Sequence, residues 1–181
     1  MFKRWEAKEC STSSQVKSSV QRAIKEKICL SNPALEGVID EIFPKKTPLT
    51  QVKASQHVTL YCRGSEPVFY EQRDGPILPT LRFVQQYPTL WTTVTVDKGA
   101  IPFILGGANI MCPGLTKPTS ILPDNLKAGD GVVVMCEGKE TAIATGVLKM
   151  SAKDIKEINK GVAVECCHFL GDGLFNVKAI D

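Results

Sequence analysis

Apolar positions recur every fourth residue through Val16, Val20, Ile24 and Ile28. That spacing draws one stripe along a helix over residues 14–30, with Lys17, Arg22, Lys25 and Lys27 on its other faces. Ser13 or Ser14 stands where an N-cap belongs. Asn32-Pro33 then reads as the start of a second helix, Asn32 as the cap and Pro33 at the first helical position. Leu35, Val38, Ile39 and Ile42 give it a buried face, and Phe43-Pro44 stops it. So short a connection packs the two helices together.

After Thr50 the period changes to two. HVTLYC (57–62) and PVFYEQ (67–72) read as a hairpin closed by RGSE. A short helix is expected over Thr80–Gln86, and a boundary between two units near residues 88–93. The second half is a series of short strands between turns: TVTVD (93–97), AIPFIL (100–105), GDGVVVMCEG (129–138), AIATGVLKM (142–150), GVAVECCHFL (161–170) and LFNVKAI (174–180). That spacing predicts a small closed or nearly closed β-barrel. One helix interrupts it, capped by Ser151 with Asp154 at the third helical position and ended by Gly161. The expectation is an α+β chain: an N-terminal α/β unit over 1–92, then a β-barrel over 93–181.

Charge adds little to this. The chain carries a net charge of +3, with 13 Lys and Arg against nine Asp and Glu over residues 1–92, and nine against ten over 93–181. A mild positive excess is compatible with nucleic acid without requiring it. No apolar run approaches the length of a membrane span, and the charged start MFKRWEAKEC lacks the apolar core of a secretory signal. The seven cysteines are an odd number and contain no Cys-x-x-Cys pair. They read as packed thiols in a reducing cytoplasm rather than a disulfide framework or a metal knuckle.

Catalytic chemistry finds no constellation. His57 and His168 are the only histidines and lack metal-ligand spacing. Cys112 sits in a glycine-rich loop, but no base can be placed beside it, and a packed thiol is the simpler reading. Asp97, followed by Lys98-Gly99, is expected to hold backbone amides at a turn. No catalytic residue, metal or cofactor is therefore assigned.

The segment DKGAIPFILGGANIMCPGL (97–115) is the least ordinary of the chain, with Gly99, Gly106, Gly107 and Gly114 close together. It lacks the Gly-Lys-Ser/Thr of a phosphate loop and the spacing of a dinucleotide fingerprint. Two readings stand: bare amides offered to a phosphate or sugar edge, or tight corners of a barrel. Lys98, Lys149, Arg73, Arg82 and the pair Lys45-Lys46 are candidate phosphate contacts. Trp91, Phe103 and Phe175 would stack on bases or fill the core. Pro102 would put AIPFIL at an edge or bulge it there; if the strand is regular, Ile101, Phe103 and Leu105 share a face on which Phe103 would anchor a protein partner. Burial in the core is the competing reading.

VDKGAIPFILGGANIMCPGL, then GVLKMSAKDIKEINKG, resembles the RNA-binding PUA domain found on pseudouridine synthases and archaeosine transglycosylases. With MFKR, FPKK (43–46), DGPILPTLR (74–82) and QYP (86–88), the whole chain resembles the malignant T-cell-amplified sequence family, called translation-machinery-associated proteins in fungi. The resemblance implies a cytoplasmic, non-enzymatic translation factor. It would pair with density-regulated protein, bind the small ribosomal subunit and tRNA, and act in reinitiation, non-canonical initiation and post-termination recycling. It further implies that RNA is gripped by Lys98, Gly99, Ala100, Gly106, Gly107, Ala108 and Asn109, with Lys149 and Gly161 bracketing the neighbouring helix. Lys45, Lys46, Arg73 and Arg82 would face the ribosome. The chain departs from the family pattern at Pro102, where a Lys is usual, and at Gly107, where a Ser is usual. Two other readings remain: a specificity subunit of an RNA-modifying enzyme, for which the first 92 residues make a poor catalytic core, and a protein-interaction adaptor whose barrel no longer binds RNA.

Overall fold

The computed structural model describes residues 1–180. Two five-stranded sheets, one from each half of the chain, organise it. In the first, β1 (Cys10–Gln15), β2 (Leu49–Ala54), β3 (Val58–Arg63), β4 (Glu66–Gln72) and β5 (Leu78–Pro79) follow one another as an antiparallel meander. In the second, β6 (Thr93–Val96) lies parallel to β8 (Gly131–Cys136). β9 (Ala144–Leu148), β10 (Val162–Phe169) and β7 (Ile110–Met111) complete the order β6-β8-β9-β10-β7. This sheet curls into a half-barrel around Val94, Val96, Val132, Val134, Leu148 and Val164, which alternate inward along their strands.

The hairpin and the helix after it form where the sequence places them. β3 and β4 pair from Val58↔Gln72 to Arg63↔Glu66. Helix α3 (Leu81–Gln86) begins at Thr80, whose Oγ1 accepts the Phe83 N–H. The start of the chain differs. Residues 10–15 form an edge strand, so helix α1 begins only at Ser18 and ends at Ser31, with Lys17 at the cap and no side-chain cap bond. Val16 lies before the helix, and its N–H goes to the Leu49 carbonyl. Only Ile24 and Ile28 of the expected stripe are buried, because the helix meets the sheet with its later turns. The second helix divides into a 3-10 turn at Pro33–Leu35 and α2 (Ile39–Ile42), and the Asn32 side chain makes no cap bond.

Two segments expected to be strands are helical. Lys98–Ala100 form a 3-10 turn that runs directly into α4 (Ile101–Leu105). Pro102 occupies the first turn, where its missing N–H costs no hydrogen bond, so it is neither an edge nor a bulge. An apolar run of six residues fits both periods, and the Asp97 cap, whose Oδ2 accepts the Gly99 N–H at 3.0 Å, decides for helix. At the other end, Gly173–Asn176 form a single turn, α6, because Asp172 captures the Phe175 N–H. The expected helix α5 (Ala152–Ile158) is present, with Ser151 accepting the Asp154 N–H. It ends at Asn159 in the left-handed region rather than at Gly161.

The two sheets pack across a shared seam. Phe69, Phe83 and Trp91 lie in one apolar cluster with Val133 and Ala142 of the second half. Polar contacts cross it too. Tyr70 Oη and Thr145 Oγ1 are 2.7 Å apart and fully buried. His168 Nε2 accepts the Leu81 N–H at 3.1 Å, so Nδ1 carries the proton and donates to Asp172 at 2.8 Å. The N-terminal segment is wedged here as well. Gly173 donates to the Phe2 carbonyl, and a Cβ on Gly173 would collide with the Trp5 backbone.

Candidate nucleic-acid interface

α4 and its flanking turns build the most distinctive surface of the second half. Asp97 organises it. One of its carboxylate oxygens accepts both the Gly99 N–H and the Lys117 ammonium, the latter at 2.7 Å. The ammonium holds the Asp97 carboxyl below the usual carboxylate range. Lys117 lies 20 residues downstream, and nothing in the sequence marks it as this partner. Lys98 is exposed and, among the described residues, has no ion-pair partner. It is thus an unpaired cation of this surface, as is the exposed Lys3 beside Gly107.

The glycines have a structural explanation. Gly107 takes φ +86° and ends α4 in a Schellman motif. The Ala108 N–H bonds the Phe103 carbonyl, the Gly107 N–H bonds Ile104, and the Gly106 N–H bonds Pro102. What comes close to Gly107 is the Phe169 ring, 3.1 Å from where a Cβ would stand, with Lys3 at 3.3 Å. The bare amides expected of Gly106, Gly107 and Ala108 are thus spent on the helix end. Asn109 is likewise engaged: its Oδ1 accepts the Cys166 N–H at 3.0 Å and pins the loop to β10.

Beside α4 opens a cleft of about 270 Å³, lined by Asp97, Ala100, Phe103, Asn109, Met111 and Lys117 among others. Phe103 is 68% exposed and Met111 48%, and Leu105 follows Phe103 on α4 at 41%. Burial of Phe103 in the core is thereby excluded. Ile101 is half-buried against the core, which Ile104 enters fully. A strand reading puts Leu105 on one face with Ile101 and Phe103, whereas the helix turns it away from Phe103; the exposed Met111 beside the cleft has no signal in the sequence.

The remaining expected contacts are dispersed. Lys149 is exposed, paired with Glu165 at 3.1 Å, and lines a second cleft with Arg73 and Tyr70, away from α4. Gly161, at φ +92°, precedes β10, and its carbonyl accepts the Cys112 N–H. Arg82 stacks on the Phe175 ring at 4.7 Å and donates to the Phe175 carbonyl, which places it in the seam between the halves. Trp91 is core. Lys45 and Lys46 are exposed after α2. The Cys112 thiol is buried beside the Met150 sulfur and the Lys160 carbonyl, and burial pushes its pKa up, opposite to what a nucleophile needs.

The Asp97–Lys117 pair makes a pH prediction. A carboxyl held below its unfolded value stabilises the fold above the ordinary carboxylate pKa. That stabilisation is lost as pH falls through the lowered folded value. Lys117→Met should therefore cost about 1 kcal/mol or less at pH 7, since Lys117 is half exposed. The difference should vanish near pH 2. Denaturation curves of both proteins at the two pH values check this.

Comparison with known proteins agrees with this architecture. Residues 5–88 match the Pre-PUA-like domain and residues 92–170 match the PUA domain. A hypothetical protein from Pyrococcus horikoshii has the same fold, with a TM-score of 0.75 and 25% identity, covering 93% of this chain and 100% of that one. A conserved PUA domain protein from Thermoplasma acidophilum shares the fold at a TM-score of 0.64 and 24% identity, over 91% and 97% of the two chains. These matches define a two-domain protein of the Pre-PUA and PUA class. Among curated relatives, Translation machinery-associated protein 20 of Schizosaccharomyces pombe is 47% identical, covering 97% of each chain. Malignant T-cell-amplified sequence 2 of Homo sapiens is 44% identical over 98% of each. The chain belongs to the malignant T-cell-amplified sequence and translation machinery-associated protein 20 family. No helix among the described residues is long and apolar enough to cross a membrane.

Proposed function

We propose that this protein is a non-enzymatic, cytoplasmic translation factor that binds the small ribosomal subunit and tRNA together with density-regulated protein. It would act in reinitiation, non-canonical initiation and post-termination recycling. Residues 1–92 form the ribosome-facing unit and residues 93–181 the RNA-gripping one. The observation that carries this reading is the similarity to translation machinery-associated proteins across both halves of the chain. Within the second half, Lys98 is the cation available for tRNA phosphate, and the exposed Phe103, with the half-buried Ile101 on the same helix, is the apolar anchor for the protein partner. RNA contact at Gly99, Ala100 and the Gly106–Ala108 turn would use their exposed surface, since the amides of the latter turn are occupied.

The test is co-sedimentation with purified small subunits, with and without tRNA and density-regulated protein. Lys98→Glu is the clean variant, because Asn109 has a structural bond to lose. The wild type should be retained, and tRNA retention should fall about tenfold or more with Lys98→Glu. Retention of the protein with no tRNA effect would favour the adaptor reading, which the exposed Phe103 also fits. No retention at all would refute the ribosomal role.

A further inference from the structure

The first sheet ends on an edge that nothing among the described residues covers. β1 is paired on one side only, with β2, and five of its six residues are exposed. The residue after it fixes which way its main chain points: the Val16 N–H bonds the Leu49 carbonyl of β2. N–H and C=O groups alternate in direction along a strand, so Ser14 also faces β2, while Ser13 and Gln15 turn theirs outward. The edge sequence, CSTSSQ, holds neither a charge nor a proline. Those are the usual devices that keep a free edge from pairing with another strand. A bulge between Cys10 and Thr12 blunts only its start. Charge stands just outside the strand, with opposite sign at the two ends. Lys17 is exposed and, among the described residues, has no ion-pair partner. Glu9 accepts the Ser55 hydroxyl at 2.6 Å and the Glu6 N–H at 3.0 Å, which hold its carboxyl below the usual range and so keep it ionised.

We propose that β1 pairs antiparallel with β1 of a second copy of this chain, joining the two five-stranded sheets about a two-fold axis at Ser13. Among antiparallel registers, the one centred on Ser13 uses both outward-facing residues of each copy. Ser13 exchanges N–H···O=C bonds with its own counterpart, and Gln15 falls opposite Ser11. Thr12 meets Ser14, a pair suited to side-chain hydrogen bonding. Lys17 of each copy arrives opposite Glu9 of the other, so an ion pair closes each end of a neutral centre. A shift of two residues in either direction loses both ion pairs, which is why the charges select a second copy and this register. A foreign peptide fits less well, because small hydroxyl side chains form no pockets to read its alternate residues. The contact uses about six residues a side against 20–30 in a standard interface, so the association is weak, on the order of 100 μM. β1 belongs to the first half and α4 to the second, and the pairing does not depend on the function proposed above.

The experiment is sedimentation equilibrium of the full chain over about 1–500 μM, a range that brackets such an affinity. The weight-average mass of the wild type should rise toward twice that of the monomer. Ser13→Pro removes an outward N–H that the fold does not use, so it should abolish the rise and leave the thermal melt nearly unchanged. Ser13→Lys sets two like charges face to face and should abolish the rise as well, which keeps the test decisive if the proline variant folds poorly. Lys17→Glu should weaken association about fivefold at low salt and reverse its salt dependence, because attraction at each end becomes repulsion. Phe103→Asp should leave the association as it is. A wild type that stays monomeric at the highest concentration would overturn the inference. So would a dimer that survives both Ser13 variants, or one lost with Phe103→Asp, which would place the contact at α4.

Discussion

Asp172→Ala should destabilise the protein by about 3–5 kcal/mol, because it strands three donors at roughly 1–3 kcal/mol for each one left buried. Asp172 is 1% exposed and His168 wholly buried. The carboxylate accepts His168 Nδ1 and the N–H groups of Phe169 and Phe175, at 2.8–2.9 Å. Alanine leaves three buried or part-buried donors without a partner and deletes the cap of α6 at once. The damage spreads across the seam. His168 holds the first residue of α3 through the Leu81 N–H, and its ring packs edge-on against Phe2 and Tyr70. A fall in Tm of roughly 10 °C is expected. Asp172→Asn, which keeps one acceptor oxygen, should lose less. Chemical denaturation of the three proteins decides the matter; equal midpoints for wild type and alanine variant would show that this pair contributes no net stability.

Phe103→Asp should do the opposite: leave the fold intact and remove the partner. Phe103 is 68% exposed on α4, so its replacement should change stability by no more than about 0.5 kcal/mol. An exposed aromatic that lines a cleft with the exposed Met111 has the character of an interface anchor. Truncating such an anchor costs about 2–4 kcal/mol, which is roughly 30- to 1,000-fold in affinity. Aspartate adds the penalty of burying a charge. Calorimetric titration with density-regulated protein, beside a thermal melt of each variant, reads both effects. Full affinity in the variant would move the interface elsewhere, without touching the case for Lys98 as the RNA cation.

Much of this molecule was legible in one dimension. The β3–β4 hairpin, α3, α5 with its Ser151 cap, and the strands β6, β8 and β9 follow from period and capping chemistry acting over a few residues. The similarity of the glycine-rich segment to the PUA domain also needed no structure. Local signals alone determine these features, because the groups that stabilise them are neighbours in sequence.

What the sequence left open depends on partners far along the chain. AIPFIL is compatible with either period until Asp97 is seen capping it and Lys117, 20 residues later, holding Asp97 in place. LFNVKAI opens on a helical turn, which ends at Asn176, because Asp172 is already anchored by His168. Arg82 and Lys149 looked interchangeable with Lys98 as basic residues. Tertiary packing stacks Arg82 on Phe175 and pairs Lys149 with Glu165, leaving Lys98 unpaired among the described residues. Sequence thus determined the kind of protein and most of its secondary structure, which short-range hydrogen bonding and apolar periodicity encode. Tertiary structure decided which charged and aromatic side chains are spent on the fold and which remain for a ligand, because that choice is made by contacts between residues tens of positions apart.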